Sequence, residues 1–171
     1  MRTRWKPVAI AFGAAIPLAL TAVWAPRPLI LWNITASAPE GVYWLSTAEP
    51  LRGGELVVAL PPAALETWLD AAGFLPRGVP LLKRVAALEG QRVCSGESEI
   101  LVDGRPVARP RRADRFGRPL PSWSGCRTLR ADEVFLLNPA ARESLDGRYF
   151  GPSARRDVVA RARPLWTFEG R

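Results

Sequence analysis

Two residues in this chain have the chemistry of a nucleophile and a base, Ser37 and Lys83, and there is no histidine anywhere in the sequence. Ser-His-Asp hydrolysis is therefore excluded. A serine nucleophile would need another base, and a desolvated lysine is the known substitute. Ser37 lies in Asn33-Ile34-Thr35-Ala36-Ser37-Ala38-Pro39. Thr35 offers a second hydroxyl two residues earlier, and with the Ser37 backbone N–H it could receive a developing oxyanion. Lys83 interrupts an apolar run from Val79 to Leu88. On a strand it would share a face with Leu81, Val85 and Ala87, where loss of hydration lowers an amine's pKa. Working as a base means falling from about 10.4 toward roughly 7–8. The bland alternatives are a lysine that reaches water from a strand edge and an ordinary loop serine.

A third segment runs from Asn138 to Gly151, with Ser144, Asp146 and Arg148 at alternating positions. In an extended conformation these three would point the same way. Asp146 and Arg148 could pair, and Ser144 could hydrogen-bond a neighbouring lysine. The competing expectation is a solvated turn closed by a surface ion pair of little energetic value.

The elements that must position these groups can be sketched from pattern. Arg2, Arg4 and Lys6 precede an uncharged stretch from Pro7 to Pro26, with Trp5 and Trp24 at its ends. At 1.5 Å per residue it spans about 30 Å, the thickness of a bilayer core. The charge asymmetry puts residues 1–6 in the cytoplasm, 7–26 in the membrane and 27–171 outside. A cleaved signal peptide is the alternative, but Pro26 would follow the cut at Val23-x-Ala25 and the apolar stretch is long for a signal core.

Residues 26–47 read as loop, with Pro26, Pro28, Pro39 and Gly41 as breakers. Strands are expected over 55–60, 79–88, 91–94, 99–102, 105–108, 134–138, 157–162 and 165–168. Asp103-Gly104 signals a hairpin turn. A short amphipathic helix is expected through Leu65, Trp68, Leu69 and Ala72, with Gly73 as its stop. Arg105 to Pro121 reads as an arginine- and proline-rich loop. The fold class is mostly β: a domain of short strands behind one N-terminal transmembrane helix, with a short inserted helix.

The balance of 24 Lys+Arg against 16 Asp+Glu gives a net charge of +8. That permits nucleic acid or anionic lipid as a partner, but no nucleic-acid motif accompanies it, so none is expected. Cys94 and Cys126 could pair in an oxidising compartment. Two cysteines without histidine argue against structural zinc, and no metal or other cofactor is expected.

Taken in order, these segments resemble the type I signal peptidase family. Thr35-Ala36-Ser37-Ala38-Pro39 is similar to its serine box, Ser-x-Ser-Met-x-Pro, with threonine first and no methionine. Gly54-Glu55-Leu56-Val57-Val58 resembles its Gly-Asp-φ-Val strand. Lys83-Arg84-Val85-Ala86-Ala87-Leu88-Glu89-Gly90 resembles Lys-Arg-Val-x-Gly-x-Pro-Gly, departing at Ala87 and Glu89. Ser144 to Gly151 resembles the Ser-x-Asp-Ser-Arg box, with Gly147 replacing the second serine. Finer features are similar to the conjugative-transfer (TraF) type: 38–43, 116–121, Gly125-Cys126, 146–151 and 164–167.

The resemblance implies Ser37 as nucleophile, Lys83 as general base, and Ser37 N–H with Thr35 Oγ1 as oxyanion hole. Ser144 would orient Lys83, while Asp146, Arg148 and Arg84 support the site. It implies a serine endopeptidase of the bacterial inner membrane with a periplasmic domain. Its substrate would be an exported precursor such as a conjugative pilin, cleaved and in some relatives cyclised, in conjugation or type IV secretion. A housekeeping signal peptidase and a non-catalytic anchored binding module are the alternative functions.

Overall fold

The computed structural model describes residues 28–96 and 98–168, with Gly13 alone before them. The anchor expected over 7–26 otherwise lies outside the described residues. Among those described, no helix is long and apolar enough to cross a membrane.

Among the described residues there are eleven strands: β1 (Ile30–Asn33), β2 (Glu40–Ser46), β3 (Leu56–Ala59), β4 (Leu81–Ala87), β5 (Arg92–Ser95), β6 (Ile100–Val102), β7 (Arg105–Ala108), β8 (Gly125–Thr128), β9 (Glu133–Leu137), β10 (Ser153–Ala154) and β11 (Val158–Phe168). Two helices interrupt them, α1 (Ala63–Ala71) and α2 (Gly147–Phe150). A seven-stranded sheet runs β1-β2-β11-β3-β4-β9-β10, and a four-stranded sheet runs β7-β6-β5-β8. The mostly-β expectation with a short inserted helix matches the described domain.

The central strand β3 is buried along its whole length. Leu56 and Val58 join one apolar cluster with Tyr43, Leu45 and Leu82. Val57 and Ala59 join another with Val85, Val134 and Leu136. That alternation divides the core between the sheet's two faces. A third cluster, around Ala87, Val93, Ile100, Phe135 and Leu137, joins elements of the two sheets. The hairpin at Asp103-Gly104 has φ of 49° and 77°, as the sequence signal requires. Cys94 and Cys126 are cross-strand partners on β5 and β8 and form a disulfide.

Three expectations need correction. Residues 26–47 are not simply loop: β1 and β2 occupy half of them. Gly41 lies within β2 at φ 145°, where a Cβ would come 2.2 Å from the Trp166 carbonyl oxygen. The glycine there marks a close approach of β11 and not a chain break. The separate strands over 157–162 and 165–168 are one strand, and its register shifts between Pro164 and Trp166 as it passes β2. Proline removes a ladder donor, so the strand continues through an irregularity. Finally, 144–148 is not extended throughout, because Gly147 and Arg148 already belong to α2. Asp146 caps α2, its side chain accepting from the Arg148 backbone N–H at 3.2 Å.

Candidate active site

Lys83 enters the core because β4 is an interior strand, paired with β3 on one side and β9 on the other. Its cross-strand partner is Val57. The side chain is 3% exposed. Nζ donates one hydrogen bond, to Ser144 Oγ at 2.9 Å. Burial pushes its pKa down from 10.5 to about 8; the carboxylate of Asp146 opposes that shift, and the guanidinium of Arg148 adds to it.

Arg84, one residue on, points to the opposite face. It is exposed, and its Nη1 donates to Gly54 O at 3.0 Å. Strand alternation separates it from Lys83, so its side chain takes no part in the lysine's surroundings.

Beneath Lys83 lies a buried brace. Arg148 Nε donates to Asp146 Oδ1 at 2.9 Å and Nη2 to Oδ2 at 2.8 Å, a bidentate pair. Nη2 also donates to the carbonyls of Asn138 and Ala141, both at 2.8 Å. Asp146 Oδ2 accepts further from Asn138 N–H at 3.0 Å. The brace fixes the 138–148 loop that carries Ser144.

The loop allows only glycine at 147. A Cβ there would lie 2.6 Å from Phe135 Cε2 and 2.7 Å from Leu136 O. This accounts for glycine between the aspartate and arginine.

Ser37 sits in the turn between β1 and β2, half-buried, with Thr35 and Ala36 exposed beside it. Asn33 organises this turn from below. Its Nδ2 lies 3.0–3.1 Å from the carbonyls of Thr35, Ala38 and Pro39, and its Oδ1 accepts from Thr35 N–H at 3.1 Å and Thr35 Oγ1 at 2.7 Å. Tyr43 OH adds a bond to Pro39 O at 2.6 Å. Ser37 Oγ is 3.3 Å from Thr35 Oγ1. The Thr35 proton is committed to Asn33, so in this conformation Ser37 is the donor of that pair. Ser37 N–H has no acceptor among the described residues.

Ser37 Oγ and Lys83 Nζ are not directly hydrogen-bonded here, but both residues line one cleft of about 520 Å³, together with Thr35, Leu82 and Ser144. What ties the two halves together is Asn138, to which the sequence pattern assigns no role. Its Nδ2 donates to Ser37 O at 2.6 Å and to Leu82 O at 2.9 Å, while its Oδ1 accepts from Arg84 N–H at 3.1 Å. One side chain thus grips the serine and both neighbours of the lysine. An asparagine before proline at a strand end carries no signal of such distant partners.

A buried amine and an exposed hydroxyl on one cleft are an arrangement suited to acyl transfer. The family model described as signal peptidase, peptidase S26, matches residues 2–166. The chain belongs to the signal peptidase family. The plasmid transfer protein TraF of Escherichia coli is 38% identical over 173 residues, covering 95% of this chain and 96% of that protein. A probable conjugal transfer protein TraF of Sinorhizobium fredii is 34% identical over 181 residues, covering 98% and 93%. A crystal structure of a signal peptidase I from Enterococcus faecalis aligns with 68% of this chain and 98% of its own, at 16% identity and a TM-score of 0.40, too loosely to carry an argument.

Proposed function

We propose that this signal peptidase family member is a membrane-anchored serine endopeptidase that cleaves exported precursor proteins of a conjugation system, with Ser37 as nucleophile and Lys83 as base. The observation that carries the reading is a lysine buried to 3% exposure, with a pKa near 8, on the same cleft as a half-buried serine.

The Ser37 hydroxyl turns from Thr35 toward neutral Lys83 Nζ as substrate enters. Catalytic hydrogen bonds are often completed only in the substrate complex. Oγ attacks the scissile carbonyl carbon and its proton passes to Nζ. The oxyanion is met by the free Ser37 N–H, and by Thr35 Oγ1 once its proton turns from Asn33. The tetrahedral adduct collapses, the new ammonium protonates the leaving amine, and the acyl group remains on Ser37. Lys83, neutral again, activates water to release it. A substrate amine in place of water would give a cyclic product. Ser144 holds Nζ in place throughout.

The conjugal setting rests on the relatives, named as plasmid or conjugal transfer proteins. A periplasmic location is supported by the Cys94–Cys126 disulfide. Membrane attachment is supported by the apolar stretch 7–26 and by exposed apolar side chains on the strands that follow it. Trp32 is 62% exposed and Trp166 59%, and both share a cross-strand row with Val42; Ile34 beside them is 76% exposed. Such a patch suits the surface of a bilayer.

The test is co-expression with a candidate pilin precursor and mass spectrometry of the product. Wild type should cut the precursor, and the same spectrum reports the position and any cyclisation. Ser37→Ala and Lys83→Ala should each abolish cutting while remaining folded. Because Lys83 must be neutral, kcat/KM should rise with pH and level off above about 8. Cutting by both variants at the wild-type rate would overturn the reading.

A further inference from the structure

The arginine-rich segment after β7 is an ordered arm across the cleft. Asp114 folds its tip, with Oδ1 accepting from the N–H groups of Phe116 and Arg118, each at 2.9 Å. Arg118 fastens the arm to the end of α1: Nε donates to Asp114 Oδ2 at 2.7 Å, Nη1 to Ala72 O at 2.8 Å, and the guanidinium lies 4.0 Å from the centroid of the Phe74 ring. At the arm's root, Arg111 N–H donates to Tyr149 OH at 3.3 Å.

With Arg118 so engaged, three other arginines line the cleft. Arg111 Nη1 lies 2.9 Å from Glu143 Oε1, and Arg115 Nε lies 3.9 Å from Glu143 Oε2. One half-exposed carboxylate therefore serves two guanidiniums. Arg142, the residue before Glu143, also lines the cleft and has no ion pair among the described residues. Four arginines face two carboxylates, Asp114 and Glu143, in the wall shared with Ser37 and Lys83. The neutral Lys83 that the reaction requires leaves this excess of positive charge in place.

We infer that Arg111, Arg115 and Arg142 select substrates carrying a carboxylate in the segment that passes beneath the arm. The inference rests on the peptidase reading of the same cleft. A guanidinium presents paired donors that match a carboxylate bidentately. Glu143 already shows how a carboxylate is held on the arm, and an incoming carboxylate would neutralise charge that Glu143 leaves unmatched. The carboxylate has two possible sources, an Asp or Glu side chain, or a free C-terminus close after the cut.

The test uses the full chain in mild detergent and synthetic peptides with alanine at the small positions before the bond. Glutamate is placed in turn at each flanking position, against its glutamine counterpart, and each peptide is made as the free acid and as the C-terminal amide. At one or two positions glutamate should raise kcat/KM about five-fold over glutamine, or the free acid should do so over the amide. The preference should shrink in about 1 M NaCl, where the screening length is about 3 Å. Arg115→Gln combined with Arg142→Gln should bring the ratio toward one, and Arg115→Glu should turn the preference toward lysine-bearing peptides.

Suppose wild type cuts neutral peptides, Ser37→Ala does not, and every glutamate-to-glutamine and acid-to-amide ratio is one. Carboxylate selection is then wrong while the peptidase reading stands. Carboxylate selection is equally wrong if the double variant loses affinity for anionic vesicles but keeps the ratio, since the arm would then serve lipid. If wild type cuts no peptide above the Ser37→Ala level, the peptidase reading falls and takes this one with it.

Discussion

The two halves of the site are built in opposite ways. On the base side, Lys83, Ser144, Asp146 and Arg148 are each no more than 3% exposed. Their polar atoms meet one another or backbone groups of the 138–148 loop. On the nucleophile side, Thr35 and Ala36 are exposed and Ser37 is half-buried, on a turn propped up by Asn33. A base made from lysine works only if water is removed from it, so its half must be enclosed and rigidly satisfied. A nucleophile works only if substrate reaches it, so its half must stay open. The stability of the site should therefore reside on the base side, and its tolerance to change on the serine side.

The largest expected effect tests that division directly. Asp146→Ala leaves the Arg148 guanidinium buried without its carboxylate and Asn138 N–H without an acceptor. Removing one partner of a buried pair costs about 3–5 kcal/mol. Ser37→Ala should stay within about 0.5 kcal/mol of wild type, as substitutions at open positions do. Urea denaturation of the two variants measures both. Equal losses would mean that the brace is no more important to the fold than the turn.

A smaller effect of opposite sign is expected at the base itself. The folded-state pKa of Lys83 lies near 8, below its ordinary 10.5. Below about pH 8 both folded and unfolded chains hold the proton, and the folded state bears the full burial penalty, about 3 kcal/mol. Between the two values only the unfolded chain is protonated, so stability rises with pH. Wild type should gain about 2 kcal/mol between about pH 8 and 9.5, a window below the titration of Tyr43, whose pKa burial raises above 10. Lys83→Met keeps the stem and removes the charge. It should be more stable than wild type by about 2–3 kcal/mol at neutral pH, lose that gain with pH, and be inactive. A wild-type stability flat across this window would mean that the amine is hydrated.

The unequal construction also explains what is legible in the sequence. A charged residue inside an apolar strand run is a local anomaly, so Lys83 stands out, and the glycine stops, the Asp103-Gly104 turn and most strands follow from short-range pattern. β1 and β2 escape that pattern because Pro39 and Gly41 look like breakers. Proline falls between the two strands, and Gly41 is required by the backbone of Trp166, a residue distant in sequence. Asn33 and Asn138 are invisible for a related reason. Their partners are mostly backbone groups, which no side-chain pattern announces, and one of them lies 101 residues away. Arg84 enters the expected site only through adjacency to Lys83, although neighbours on a strand face opposite ways.

Asn138 offers a smaller expected loss of stability than Asp146 and the sharpest view of how the halves communicate. Asn138→Ala leaves Ser37 O, Leu82 O and Arg84 N–H without their partner, a loss of about 1–3 kcal/mol. If Asn138 is a positioning residue, the rate per folded molecule should also fall, by about ten-fold or more, since small misplacements of reacting groups are costly. Asn138→Asp separates alignment from mere packing. Its carboxylate could still accept from Arg84 N–H, but when ionised it would no longer donate to Ser37 O. It would also add a negative charge to the surroundings of Lys83, which now face Asp146 and Arg148. A second carboxylate favours the ammonium, so the pH–rate midpoint should move above about 8. A residue that only fills space would lower the folded fraction and leave the midpoint alone. If Asn138→Ala loses activity only in proportion to folded protein, and Asn138→Asp leaves the midpoint unmoved, then something other than Asn138 aligns serine with lysine, and the open half is held to the closed one by substrate.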